Sequence, residues 1–227
     1  MIAVVVPAHN EQDLIASCLR SLDAATHTPL LHGEPTLVVV ALDACTDGTE
    51  AIARQRGVAL VKVNSRNVGV ARSAGAALAL RAGARWLAFT DADSVVAPDW
   101  LAAQLSLDAD AVCGTIGVLD WSPFGARMRK HFDATYTDAD GHRHIHGANL
   151  GVRAAAYEQV GGFLPLDSSE DVALVRALER SGASIAWSAA PRVLTSARRA
   201  ARAPRGFGAT LLSVEARGYR SPQMLNA

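Results

Sequence analysis

Two aspartates, Asp91 and Asp93, follow directly on the apolar run Trp86-Leu-Ala-Phe-Thr90, and Pro98 closes the segment a few residues later. If extended geometry persists through Thr90, side chains two apart share a face, so both carboxylates can aim at one cation across the small Ala92. Hard oxygen ligands favour magnesium, manganese or calcium, and magnesium is typically held by one or two carboxylates together with substrate phosphates. An Asp-x-Asp at a strand end is also ordinary turn chemistry, so its neighbours must decide. Two other groups of residues could do chemistry. His142, His144 and His146 alternate, and on a strand they would share a face able to bind zinc, although histidines near a loop need no ligand. Arg192, Arg198, Arg199, Arg202 and Arg205 concentrate positive charge that could contact a diphosphate, an anionic acceptor or an anionic membrane surface, or form a solvated face.

The elements that must position these residues repeat. Residues 2–6 are continuously apolar, as a strand buried on both faces reads, and Pro7 ends them. Asn10 reads as the N-cap of a helix carrying Leu14, Ile15, Cys18, Leu19 and Leu22. Residues 36–42, 58–63 and 86–90 read as further strands, the first two each followed by a polar loop and a helix. Alternation with short connections implies a parallel sheet with helices on both faces. All four strands end in polar loops: His9-Asn-Glu11, Asp43, Asn67-Val-Gly69 and Asp91-Ala-Asp93. Their carboxyl ends share one edge, where open parallel sheets bind ligands at the topological switch point. Beyond Pro98 the alternation loosens: residues 99–107 read as a helix and 111–117 as a strand, whereas 122–143 show no clean period. Residues 144–152 read as strand then loop, and 153–160 as a helix stopped by Gly161-Gly162. Ser168-Ser-Glu-Asp171 opens an apolar-periodic helix ended by Gly182, and residues 185–187 and 193–195 read as two short strands. A last helix is expected from Pro204 to Tyr219.

The 227 residues (23.8 kDa, 50% hydrophobic) suffice for one large domain with a substantial core. Lys plus Arg equals Asp plus Glu at 22 each, which gives no reason to expect nucleic acid as a partner. Three scattered cysteines, Cys18, Cys45 and Cys113, argue for packing roles in a reducing, cytoplasmic setting rather than a disulfide framework. The amino terminus lacks a basic leader and no stretch reaches the length of a membrane span, so a protein without a transmembrane segment is expected, with peripheral membrane contact still open.

With its pieces placed, the chain closely resembles family 2 glycosyltransferases, inverting enzymes of the GT-A fold. The resemblance rests on Val5-Val-Pro-Ala-His-Asn-Glu11, Asp43-Ala-Cys-Thr-Asp-Gly-Thr49, Asn67-Val-Gly-Val-Ala-Arg-Ser-Ala-Gly75, Asp91-Ala-Asp93, Gly147-Ala-Asn149, Gly161-Gly-Phe163 and Ser169-Glu-Asp171, in the family's order. It implies a single Rossmann-like α/β domain: a mostly parallel open sheet with helices on both faces and a smaller mixed acceptor-side subregion. Residues 1–97 would bind the nucleotide sugar, 98–203 the acceptor, and 204–227 would form a terminal helix and tail. It implies that Pro7, Glu11 and Asp43 line base and ribose, that Asn67, Gly69 and Arg72 lie near base and diphosphate, and that Asp91, Ala92 and Asp93 hold the donor with a divalent metal, manganese or magnesium, at Asp91 and Asp93. It makes Asp171 the general base, with Glu170, His146, Asn149, Gly161 and Gly162 shaping the acceptor pocket. The implied donor is a nucleotide-diphosphate sugar, UDP- or GDP-linked, and the acceptor an unidentified hydroxyl.

The chain departs from the family's pattern in two places. Leu42-Asp43 stands where two acidic residues are frequent, and Thr195-Ser-Ala-Arg-Arg199 has no histidine where many members supply one to the metal. The chain stops soon after the core, as a single-transfer enzyme would. A nucleotidyltransferase of related fold is the nearest rival reading, but Pro7-Ala-His-Asn-Glu11 stands where its glycine-rich, lysine-bearing loop would be. A non-catalytic nucleotide-sugar binding protein is the third reading, and Asp171 argues against it.

Overall fold

The computed structural model describes residues 1–166, 168–199 and 206–219. Its first half alternates strand and helix: β1 (Ile2–Ala8), α1 (Ile15–Thr26), β2 (Thr36–Asp43), α2 (Thr49–Gln55), β3 (Ala59–Val63), α3 (Val68–Arg81) and β4 (Trp86–Phe89). The second half runs β5 (Ser94–Val96), α4 (Trp100–Ser106), β6 (Ala111–Val118), α5 (Gly125–Thr135), β7 (Leu150–Arg153), α6 (Ala154–Gln159), α7 (Glu170–Ser181), β8 (Ile185–Thr195) and α8 (Phe207–Ala216). All eight strands join one curled sheet in the order β3-β2-β1-β4-β7-β6-β8-β5. The first four are mutually parallel, β7 is antiparallel to both β4 and β6, and β5 is antiparallel to β8.

Strand β1 reads as uniformly apolar because it feeds two cores. Alternate side chains of a strand point to opposite faces, so Ile2, Val4 and Val6 pack with α1, Trp86 and Trp100 on one side. Ala3 and Val5 pack with Leu87, Phe89, Leu174 and Leu178 on the other. Trp86, Phe89 and Trp100 are almost completely buried, each contributing about 1.5–3 kcal/mol by removal from water. Helix α3 can lie close on β1 because Gly75 has no Cβ; one added there would sit 2.5 Å from Cγ1 of Val5. Cys18 and Cys113 are buried in these cores and all three cysteines are free.

Register sets the functional edge. Ala8 pairs with Leu42 across β1 and β2, so these two end almost level, whereas β4 stops at Phe89 opposite Val5, and the loop carrying Asp91 and Asp93 starts deeper along β1. Because β2 and β4 flank β1 on opposite sides, the chain reverses its direction of travel there and leaves a crevice at the carboxyl ends.

Several local expectations are corrected. Asn10 is not an N-cap: it adopts φ 53°, α1 begins at Ile15, and its Oδ1 accepts the Thr46 N–H at 2.7 Å, tying the first loop to the loop after β2. Residues 122–143 contain α5, which with α8 encloses a third core of Phe124, Met128, Phe132, Tyr136 and Leu211. The two short late strands are the single strand β8, and β5 follows the aspartates directly. The alternating histidines lie on no strand. Their rings stack in series, at 5.4 Å and 5.8 Å between centroids, beneath Tyr136, rather than converging on a point. His142 Nδ1 accepts the His144 N–H, His144 Nε2 accepts the Thr137 N–H, and His146 Nε2 pairs with the Tyr136 hydroxyl.

Candidate active site

A cavity of about 470 Å³ opens at the carboxyl edge of β1, β2 and β4, and residues from both halves of the chain line it. Pro7, Glu11 and Asp43 reach it from the ends of β1 and β2, and Asn67 and Arg72 from the start of α3. Asp91, Ala92 and Asp93 enter after β4, and His146, Glu170 and Asp171 line it from the second half of the chain. Gly69, Asn149, Gly161 and Gly162 are not among the lining residues and act behind the wall. Gly69 lets α3 approach the Leu164 carbonyl. Asn149 is fully buried, donating to the Thr115 and Pro191 carbonyls and accepting from Trp100 Nε1. Gly161 and Gly162 both take positive φ in the turn after α6, with Gly162 against the Tyr157 ring.

Hydrogen bonds fix the side of the cavity around Asp43. The Asp43 carboxylate accepts the backbone N–H groups of Ser65, Arg66 and Asn67 at 2.7–2.8 Å. Burial pushes its pKa up, but these hydrogen bonds prevail and hold it below the ordinary aspartate value. Asn67 in turn caps α3 by accepting the Val70 N–H.

Arginine 72 is the buried centre of the site, with 4% of its surface exposed. Its Nη1 pairs with the buried Glu170 and its Nη2 with Asp91 Oδ1 at 2.6 Å, and it lies over the Phe163 ring at 5.7 Å. Burial opposes its charge, but Asp91, Glu170 and Asp171 outweigh that penalty. Burial pushes Glu170 upward, Arg72 pulls it back, and Asp171 adds to the rise. A Cβ on Gly147 would occupy the space of the Arg72 guanidinium, so a bare backbone is needed there.

A second guanidinium holds the other side. Arg198, just past β8, forms a two-pronged pair with Glu11 at 2.7 Å on both arms and lies 3.1 Å from Asp93 Oδ2. Asp93 is pushed up by burial and by the Asp91 carboxylate, with Arg198 opposing. Among the described residues, four carboxylates thus share these two arginines, a formal surplus of two negative charges within this cluster, and a third arginine, the exposed Arg66, also lines the cavity.

Asp171, half-buried at the start of α7, accepts the Gly147 N–H on Oδ2 and the Val172 N–H on Oδ1, both at 2.8 Å. Each oxygen retains a second acceptor site.

A model of the family described as Glycosyl transferase family 2 matches residues 3–161. The chain belongs to that family. No curated protein matches the sequence. Among solved structures, the Pyrobaculum calidifontis mannosyltransferase PcManGT, in complex with GDP-Man and Mn2+, aligns with a TM-score of 0.66 at 20% identity over 99% of this chain and 65% of that one. S. aureus TarS 1-349, in complex with UDP-GlcNAc, aligns with a TM-score of 0.65 at 18% identity over 91% and 61%. Glucosyl-3-phosphoglycerate synthase from Mycobacterium tuberculosis, in complex with Mn2+, UDP and glucosyl-3-phosphoglycerate, aligns at 0.61 and 20% identity over 87% and 72%. These likenesses establish the GT-A fold. The chain spans less than two thirds of the length of the TarS and PcManGT structures it matches.

Two of those structures contain manganese. Asp91 and Asp93 supply hard oxygens, but each already has a guanidinium at contact. Among the described residues no group of three or more metal-capable side chains exists. An arginine, which cannot ligate, stands where a histidine ligand was sought. To bind there, a divalent ion would have to displace guanidiniums that already satisfy both aspartates. The side chains therefore do not fit a protein-held metal. Among the described residues no helix is long and apolar enough to cross a membrane. Of the arginine cluster, Arg202 and Arg205 lie outside the described residues, whereas Arg192 pairs with Asp138 and Arg199 with Glu215. Arg198 is the site residue that the sequence reading left undistinguished within that cluster.

Proposed function

We propose that the chain moves a sugar from a nucleoside-diphosphate sugar, UDP- or GDP-linked, to an acceptor hydroxyl in a single inverting displacement. The observation that carries this reading is that Asp171, from the start of α7 in the second half of the chain, lines the same cavity as Asp91 and Asp93 from the loop after β4. The base and ribose lie against Pro7, Asp43 and Asn67, and the diphosphate runs toward Asp91, Ala92 and Asp93 in the crevice at the switch point. The acceptor enters past His146 and Glu170. Residues 1–97 thus serve the donor and 98–203 chiefly the acceptor.

Two backbone N–H groups fix the Asp171 carboxylate, leaving an oxygen lone pair for the acceptor O–H. As the acceptor oxygen forms its bond to the anomeric carbon, its proton passes to Asp171. The bond from that carbon to the diphosphate oxygen breaks on the far side, and the electron pair leaves with the nucleotide. One displacement inverts the anomeric centre. Glu170 keeps Arg72 in place beside Asp91, and Asn149, Gly161 and Gly162 hold the acceptor wall from behind.

Incubation with UDP-, GDP- and dTDP-sugars should release nucleoside diphosphate by slow hydrolysis, and release of pyrophosphate from a nucleoside triphosphate would reassign the chain to nucleotidyl transfer. Asp171→Asn should abolish turnover while changing donor affinity by no more than about twofold. Loss of donor binding in that variant would remove Asp171 from the role of base.

A further inference from the structure

We infer that the Arg198 guanidinium takes the place of a divalent cation at Asp93 and meets the donor's diphosphate directly. This rests on the nucleotide-sugar reading above and adds to it a charge-neutralising group. Arg198 reaches the cavity from a segment 187 residues away from Glu11, its two-pronged partner. It is anchored on both sides of the crevice, by Glu11 from the loop after β1 and by Asp93 from the loop after β4. A quarter of its side chain remains exposed, whereas Arg72 is sealed between Asp91 and Glu170, and Arg66, the third described arginine lining the cavity, sits on the exposed loop before α3. Of the two guanidiniums held by the carboxylates after β1 and β4 and by Glu170, Arg198 is the one an entering ligand can reach.

The chemistry suits a diphosphate. A guanidinium is permanently charged and presents five N–H donors in a planar fork that matches phosphate oxygens, and the two carboxylates need no more than three of them. Held by Glu11 and Asp93, the fork is oriented before the nucleotide arrives, so little side-chain freedom is lost on binding. When the anomeric bond breaks, the growing charge on the leaving β-phosphate oxygen meets a fixed cation, and no proton donor is required. The N-terminus of α3, capped by Asn67 beside the same cavity, adds its partial positive charge. The surplus of negative charge around the arginines is the one feature a divalent ion would answer equally well, and the experiment is built on that contrast.

Binding of UDP and GDP is measured by calorimetry in EDTA and again in manganese chloride, alongside manganese binding followed by electron paramagnetic resonance. For the unaltered chain the tighter nucleotide should bind with affinities that agree within about twofold in the two buffers, and Arg198→Ala should weaken it by about tenfold or more. Arg198→Lys, which keeps the charge but loses the fork, should fall between them and stands in if the alanine variant does not fold by thermal unfolding. Arg198→His installs a ligand beside Asp93, so manganese should now tighten nucleotide binding by about tenfold and its free signal should fall. Nucleotide binding by the unaltered chain that requires manganese would overturn the inference while leaving the proposed function standing. Failure of every nucleotide to bind in either buffer would remove both.

Discussion

Replacing Arg72 by methionine tests whether one buried cation organises the site. Arg72 and Glu170 are each 4% exposed, and no solvent can take over the charge of Glu170 when its partner is removed. Breaking a buried pair of this kind costs about 3–5 kcal/mol, comparable to the roughly 4 kcal/mol of a unit-charge contact at 4 Å and an effective dielectric of 20. For a chain of this size that loss lowers the melting temperature by roughly 6–20 °C. The deficit should depend on pH in a defined direction. Burial already raises the Glu170 pKa above its ordinary 4.5, and Arg72 is the main group pulling it down, so Arg72→Met raises it further. A group whose folded pKa lies above its unfolded value stabilises the fold below the unfolded pKa and loses that contribution as pH rises through the folded one. The gap in melting temperature between the unaltered chain and Arg72→Met should therefore be widest near pH 8 and narrow as pH falls toward 4.5. Pairing the change with Glu170→Gln should recover most of the loss, since no charge is then left buried. Differential scanning fluorimetry of the four-member cycle across pH 5–8 measures all of this. A deficit that stays constant with pH, or a double variant no better than Arg72→Met, would refute the assignment of the cost to an uncompensated Glu170.

Other variants probe the surroundings. Gly147→Ala puts a methyl group into the space of the Arg72 guanidinium and should cost about 1–3 kcal/mol and weaken nucleotide binding, read by thermal unfolding and calorimetry. Asn149→Ala leaves Trp100 Nε1 and the carbonyls of Thr115 and Pro191 without partners and should destabilise by about 3 kcal/mol with little change in donor affinity in the folded fraction. His146, pushed down to about 3 by burial and then by His144 and His142, stabilises the fold as a neutral ring above its ordinary 6.5 and loses that contribution as pH falls below it. His146→Asn should flatten the fall in melting temperature between pH 6.5 and 4, and an unchanged slope would show that this ring is not its source.

The parallel half of the sheet was legible because its strands are buried on both faces and carry uninterrupted apolar runs, and Gly182 ends α7 at the residue expected. The acceptor half was harder for a physical reason. In α5 the apolar side chains Phe124, Met128, Phe132 and Tyr136 recur every four residues, but Arg127, Arg129, Lys130, His131 and Asp133 crowd between them. This helix covers only one end of β6 and packs against α8, so a narrow stripe suffices and the segment reads as charged. Pro191 and Arg192 disguised β8 as two pieces. Its edge toward β6 bulges at that point, where the register shifts between Gly114 and Ile116, and this accommodates the proline.

The site itself was legible as far as single carboxylates go and no further. Asp43, Asp91, Asp93 and Asp171 follow strands or open a helix, positions where a sequence pattern can place them on one rim. Their cationic partners are set by tertiary closure: Arg72 meets Glu170 across 98 residues and Arg198 meets Glu11 across 187. No spacing rule reaches that far. The sequence offered a run of arginines after Thr195 and the lack of a histidine within it, and these are two sides of one fact. The loop after β8 reaches the crevice, so under the proposed function the residue three beyond Thr195 is placed to meet the diphosphate's charge, by a ligand for a metal ion or by a cation of the chain's own. In this chain that residue is an arginine bound on both sides of the crevice, and the choice between the two kinds of site is carried by one side chain on an otherwise shared framework.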